Sequence, residues 1–108
     1  MMMGDAGNGL DIVRAARDRY DGRIRNPFDE YECGHWYARA MSSYGLLQGL
    51  TGVRYDALSG IMYMKSGTGD FRSFISTASG FGNVGIKNGK PFLEVAYGDI
   101  PVKEFKIN

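Results

Sequence analysis

With 108 residues, 44% of them hydrophobic, the chain has room for one small globular domain or the closing stretch of a larger one, and is not disordered in composition. A net charge of +1 excludes the strong single-sign field that draws nucleic acid or an anionic membrane surface. No apolar run approaches the roughly 20 residues that span a bilayer, so no transmembrane segment is expected.

Met1, Met2 and Met3 are followed by Gly4, Asp5 and Ala6, with neither the basic start nor the apolar stretch of a signal peptide. The first element reads as a helix from about Gly9 to Tyr20. Leu10, Val13, Ala16 and Tyr20 recur at near-helical spacing, and Asp11, Arg14 and Asp18 take the other side. Asp21-Gly22 stops it. An irregular stretch follows from Arg23 to Gly34, where Asn26-Pro27 turns the backbone away from helix.

A second helix is expected from about His35 to Leu50. Trp36, Ala40, Tyr44 and Leu47 lie along one stripe, widened by Tyr37, Met41 and Leu46, as in a helix buried on more than one side. Gly45 and Gly49 cost helix stability, about 1 kcal/mol each relative to alanine, so close approach of another element there is the expected compensation.

From Gly52 the period changes to that of strands. Val53-Arg54-Tyr55 and Ile61-Met62-Tyr63-Met64 flank a turn at Asp56 to Gly60 and suggest a hairpin. Asp70 to Thr77, Gly82 to Ile86, Pro91 to Tyr97 and Val102 to Ile107 read as further short strands. Asn88-Gly89 is a strong hairpin signal, since both residues tolerate positive φ. The chain has sixteen glycines, about twice the average share, and those from Gly52 onward punctuate this half.

The densest polar segment runs from Asp29 to Arg39. It holds Asp29, Glu30 and Glu32, the single cysteine Cys33, the single histidine His35, the single tryptophan Trp36, Tyr37 and Arg39. Three readings compete for it. The carboxylates can complement the start of a helix, with Trp36 and Tyr37 as core. Glu32, Cys33 and His35 can be read as metal ligands, but no standard zinc spacing is present, nor a second cysteine or histidine to complete four ligands. The segment can also hold a sugar, since carboxylates and arginine take hydroxyls and aromatic faces stack on the ring. Glu30 and Glu32, two apart on one extended segment, would flank the same side of a substrate. They do not read as the acid and nucleophile of a glycosidase, which stand on opposite sides of the glycosidic bond. Cys33 has no partner for a disulfide, and a buried structural thiol is its default reading.

The string Asn26-Pro27-Phe28-Asp29-Glu30-Tyr31-Glu32-Cys33-Gly34, followed by Tyr37-Ala38-Arg39-Ala40-Met41-Ser42-Ser43-Tyr44, resembles the end of glycoside hydrolase family 116. This family includes bile-acid β-glucosidases (glucosylceramidases) and bacterial β-glucosidases. The similarity continues through Leu50-Thr51-Gly52-Val53-Arg54-Tyr55-Asp56 and Ser79-Gly80-Phe81-Gly82 and takes in the first helix, nearly the whole chain.

The resemblance implies the closing helices of an (α/α)6 barrel, followed by an antiparallel β-hairpin tail, an α+β chain when taken alone. Residues 1–108 would then be one C-terminal fragment of a glycosidase catalytic domain, helical over 9–50 and β-rich over 52–108. It also implies hydrolysis of β-glucosides with retention, by a nucleophile and an acid/base lying upstream of this segment, so that this chain alone is inactive. Glu30 and Arg39 correspond to the residues that hold glucose hydroxyls. Glu32, His35, Trp36 and Tyr37 stand beside them as further candidates.

The family usually has Asn or Asp, then His, then Tyr after Cys-Gly. Here His35, Trp36 and Tyr37 stand instead, so the wall of the sugar site differs. No metal or other cofactor is called for. The expected partners are a β-glucoside-like carbohydrate and the remainder of the barrel, or a second copy covering exposed apolar surface. The rivals are a non-catalytic carbohydrate-binding or structural module and a subunit completing a partner's active site.

Overall fold

The structure is a computed structural model, and it describes residues 1–19 and 43–108. The chain divides into two compact units, Met1–Gly49 and Leu50–Asn108.

In the first unit, helix α1 spans Ala6–Arg19. It begins three residues before the expected start because Asp5 caps it. The Asp5 carboxylate accepts the Asn8 N–H at 3.1 Å and the Asn8 side-chain amide at 2.7 Å, satisfying donors that a helix start leaves open. The helix is mostly exposed, Leu10 and Ile12 included. Helix α2 spans Tyr44–Thr51, so its last two residues open the second unit. The remainder of the expected second helix lies outside the described residues. Of its two glycines, Gly49 has Met1 Cβ 3.0 Å from where a Cβ would stand, whereas no described residue comes within 4 Å of a Cβ at Gly45. Among the described residues, the close approach expected of the pair is seen at Gly49, and the neighbour is Met1.

In the second unit, β1 (Arg54–Asp56) and β2 (Ile61–Met64) form the expected hairpin, antiparallel with Tyr55 opposite Met62. A 3-10 turn at Ser66–Thr68 follows, then β3 (Phe71–Ser76), β4 (Gly80–Lys87) and β5 (Lys90–Gly98), which pair antiparallel in chain order. The β4–β5 turn places Asn88 at φ 52° and Gly89 at φ 71°, the double positive φ that matches the twist of the flanking strands. Strand β6 (Glu104–Ile107) then returns to the first hairpin and pairs parallel with β2, Met62 opposite Phe105.

The core follows from the period-two alternation of the strands. Met62 and Met64 from β2, Ile75 from β3, Val84 and Ile86 from β4, and Ile100 are buried in one cluster, with Val53, Tyr55, Phe71, Leu93, Val102 and Phe105 packed against it. Both sheets therefore share one interior. Burying a side chain of this size contributes about 1.5 to 3 kcal/mol. The hydroxyl of Tyr55 crosses to donate to the Pro101 carbonyl at 2.8 Å, tying the hairpin to the connection before β6.

These findings correct the expected architecture. The described residues form an α+β chain of two helices and six strands in two three-stranded sheets, not the closing helices of an (α/α)6 barrel with a hairpin tail. Every residue of the core cluster comes from the strand-bearing part of the chain, and none from α1 or α2. The strands beyond Gly52 are likewise not a run of hairpins, because β6 crosses back to make a parallel pair with β2. Among the described residues, no helix is long and apolar enough to cross a membrane.

Candidate functional site

Every site residue expected from sequence, Glu30, Glu32, His35, Trp36, Tyr37 and Arg39, lies outside the described residues. So do Asp29 and Cys33. Among the described residues, no group of three or more His, Cys, Asp or Glu side chains is placed to hold a metal ion.

The described residues do bring charged and aromatic groups together on one surface, the outer face of the β3–β4–β5 sheet. Strand register places them in three rows. Arg72, Gly85 and Phe92 form one row, Phe74, Asn83 and Glu94 the next, and Ser76, Phe81 and Tyr97 the third. Alternate residues of the same strands, Ile75, Val84 and Ile86, point into the core, so these rows face outward. Arg72 and Glu94 meet diagonally, Nη2 to Oε2 at 2.6 Å, with side chains 60% and 56% exposed. Phe81 and Tyr97 stack across strands, ring centroids 5.7 Å apart and planes 23° from parallel. Both rings are exposed, and Phe74 is exposed on the neighbouring row.

The Arg72 end of this face is kept low on its middle strand by Gly85. A Cβ there would run into the Phe71 carbonyl and stand 2.9 Å from the Phe92 ring, so the Phe92 ring covers ground that a side chain would otherwise fill. A register shift between Phe81 and Gly82 brings Tyr97, rather than Ala96, opposite Phe81. Sequence reasoning missed this surface. The signal available was the alternation of Arg72, Phe74 and Ser76 against Phe71, Ser73 and Ile75, which sets two aromatic or charged residues on the solvent side of β3.

The turns that frame the sheet are fixed by side-chain oxygens. Thr77 Oγ1 accepts the Ser79 and Gly80 N–H groups at 3.3 and 3.1 Å and donates to the Gly80 carbonyl at 2.9 Å. Ser79 Oγ donates to the Asp99 carbonyl at 2.7 Å. In the other sheet Asp56 accepts the Leu58 and Ser59 N–H groups at 3.0 and 3.3 Å. The Ser59 hydroxyl lies buried close to this carboxylate without a well-formed hydrogen bond among the described residues. That hydroxyl first, then the Ser59 and Leu58 N–H groups, holds the carboxyl below its ordinary range, and Arg54 adds a smaller pull.

No protein-family model matches the chain, and no curated protein matches it.

Proposed function

We propose that the chain is a saccharide-holding part of a β-glucoside-processing protein, with Glu30 and Arg39 gripping hydroxyls of the sugar. The observation that carries this reading is the segment from Asp29 to Arg39, where carboxylates, an arginine and adjacent aromatic residues fall together in a string resembling family 116. A carboxylate accepts from two vicinal hydroxyls, and a guanidinium donates to two acceptors in a fixed plane, so the pair selects an orientation as well as an affinity. The role is positional: hydrogen bonds to nonreacting hydroxyls hold the anomeric carbon where a nucleophile can reach it. Glu32, His35, Trp36 and Tyr37 shape the wall beside them. The chain supplies no acid and nucleophile pair of its own in this reading, so it binds without hydrolysing.

A second reading, a non-catalytic carbohydrate-binding module, draws support from one structural observation. Among the described residues the core cluster comes from the second unit, which gives that unit an interior of its own.

Titration of the 108-residue chain with cellobiose tests the proposal. Binding that falls about tenfold or more in both Glu30→Gln and Arg39→Lys supports it. Binding indifferent to both substitutions removes the segment from the site.

A further inference from the structure

We propose that Asn88 is a site of spontaneous covalent modification, deamidation through a cyclic imide, and that the Asp70 carboxylate restrains it. Asparagine is thermally labile, and the group that attacks its side-chain amide is the backbone nitrogen of the next residue. Glycine in that place sets no Cβ beside the attacking nitrogen. The sequence holds two Asn-Gly pairs, Asn8-Gly9 and Asn88-Gly89. The second stands exposed at the tip of the β4–β5 hairpin, between the paired Lys87 and Lys90. No described residue comes within 4 Å of a Cβ at Gly89, so water reaches the nitrogen.

In the reaction the Gly89 nitrogen gives its proton to solvent base and its lone pair attacks Asn88 Cγ. A C–N bond forms, the bond from Cγ to Nδ2 breaks, and the departing nitrogen takes up a proton and leaves as ammonia. Water then opens the imide at either carbonyl, leaving aspartate or its β-linked isomer at position 88. One water enters and one ammonia leaves, with no oxidant or further reactant. Either product adds a carboxylate to the turn that Asp70 holds and lowers the net charge from +1 to zero. The β-linked isomer also lengthens the backbone of a two-residue turn whose length fixes the strand register.

In the folded chain the attacking nitrogen is already engaged. Asp70 Oδ1 accepts the Gly89 N–H at 3.2 Å, and Oδ2 accepts the Asn88 N–H at 2.7 Å. Two restraints follow. The proton that must leave lies on a hydrogen bond to a carboxylate, whose negative charge disfavours the amide anion. The paired bonds also hold Asn88 and Gly89 at φ 52° and 71°, opposing the backbone rotation that ring closure needs. Asp70 is 18 residues from Asn88 in sequence, so the restraint exists only in the folded sheet. Asn8-Gly9 is held differently. The Gly9 N–H donates to the Asp5 carbonyl, a neutral acceptor, at 3.3 Å in helix α1.

The test is peptide mass spectrometry of the full chain after incubation in mildly alkaline buffer, folded and unfolded in urea. The parent is compared with Asp70→Ala, Asp70→Asn and Gly98→Ala. The proposal expects Asn88 to react about tenfold or more slowly in the folded parent than in urea. Asp70→Ala removes most of that difference, and Asp70→Asn, which keeps an acceptor without the charge, falls between. Asn8 serves as the internal reference and reacts alike in the folded parent and Asp70→Ala. Gly98→Ala strains the same sheet away from the Asp70 carboxylate, so it separates loss of these bonds from general loss of stability. It leaves Asn88 near the parent rate. Equal rates for Asn88 in the folded and unfolded parent overturn the proposal. So does an Asp70→Ala rate that is unchanged or slower, since the carboxylate would then be idle or serve as the base. Acceleration by Gly98→Ala equal to that by Asp70→Ala overturns it too.

Discussion

The carboxylate of Asp70 accepts the backbone N–H of Asn88 at 2.7 Å across a separation of 18 residues, and the N–H of Gly89 at 3.2 Å. The residue just before β3 thus stitches down the turn that joins β4 to β5. Asn88 and Gly89 both hold positive φ, a conformation asparagine visits at a cost and glycine freely. Asp70→Ala leaves the turn to its own preference and is expected to destabilise the chain by about 1 to 2 kcal/mol in urea denaturation. Asp70→Asn keeps an acceptor and should recover part of that loss.

The carboxyl of Asp56 titrates below its ordinary range when folded. A folded value lower than the unfolded one means stability fully present above the unfolded value of about 3.9, and lost as pH falls through the folded value. Melting temperature is therefore expected to drop as pH is lowered from about 5 toward about 2.5, with a shallower drop in Asp56→Asn. Asp5 acts in the same direction at the start of α1, where the Asn8 side chain and then its N–H lower the carboxyl. Parallel acid limbs in Asp56→Asn and the parent chain would contradict this assignment.

Gly98 closes β5 at φ 73°, and a Cβ there would press on the Ser79 carbonyl oxygen. Both the backbone angle and the space exclude a side chain. Gly98→Ala is expected to cost about 2 kcal/mol or more, whereas Gly67→Ala, where nothing lies within 4 Å, should be close to neutral. Urea melts of the two variants side by side read the contrast directly.

Local signals placed the strands well. The alternation Ile61-Met62-Tyr63-Met64 puts Met62 and Met64 inside, and both are fully buried. Asn88-Gly89 marks its turn because the demand for positive φ is written in those two residues. What local pattern cannot carry is pairing between distant segments. Glu104–Ile107 reads as a strand, yet nothing in those residues says that it crosses back to lie parallel to Ile61–Met64. The barrel expectation arose from a resemblance over nearly the whole chain, and the two three-stranded sheets with their strand-built core overturned it. The strand expected from Gly82 starts two residues earlier, at Gly80, and both glycines are pressed by the backbone of β5. The start of α1 was displaced because the Asp5-Asn8 cap outweighs two poor helix formers, Gly7 and Gly9. The segment proposed to hold a sugar was legible only as a constellation of side chains and a resemblance.

The proposal that Glu30 and Arg39 hold a saccharide is open to calorimetric titration of the full chain with cellobiose, in the parent and in Glu30→Gln and Arg39→Lys. Measurable binding is expected in the parent, and a fall of about tenfold or more in each variant, with melting temperatures unchanged. Equal affinity in all three proteins, or no heat of binding in the parent, would contradict it.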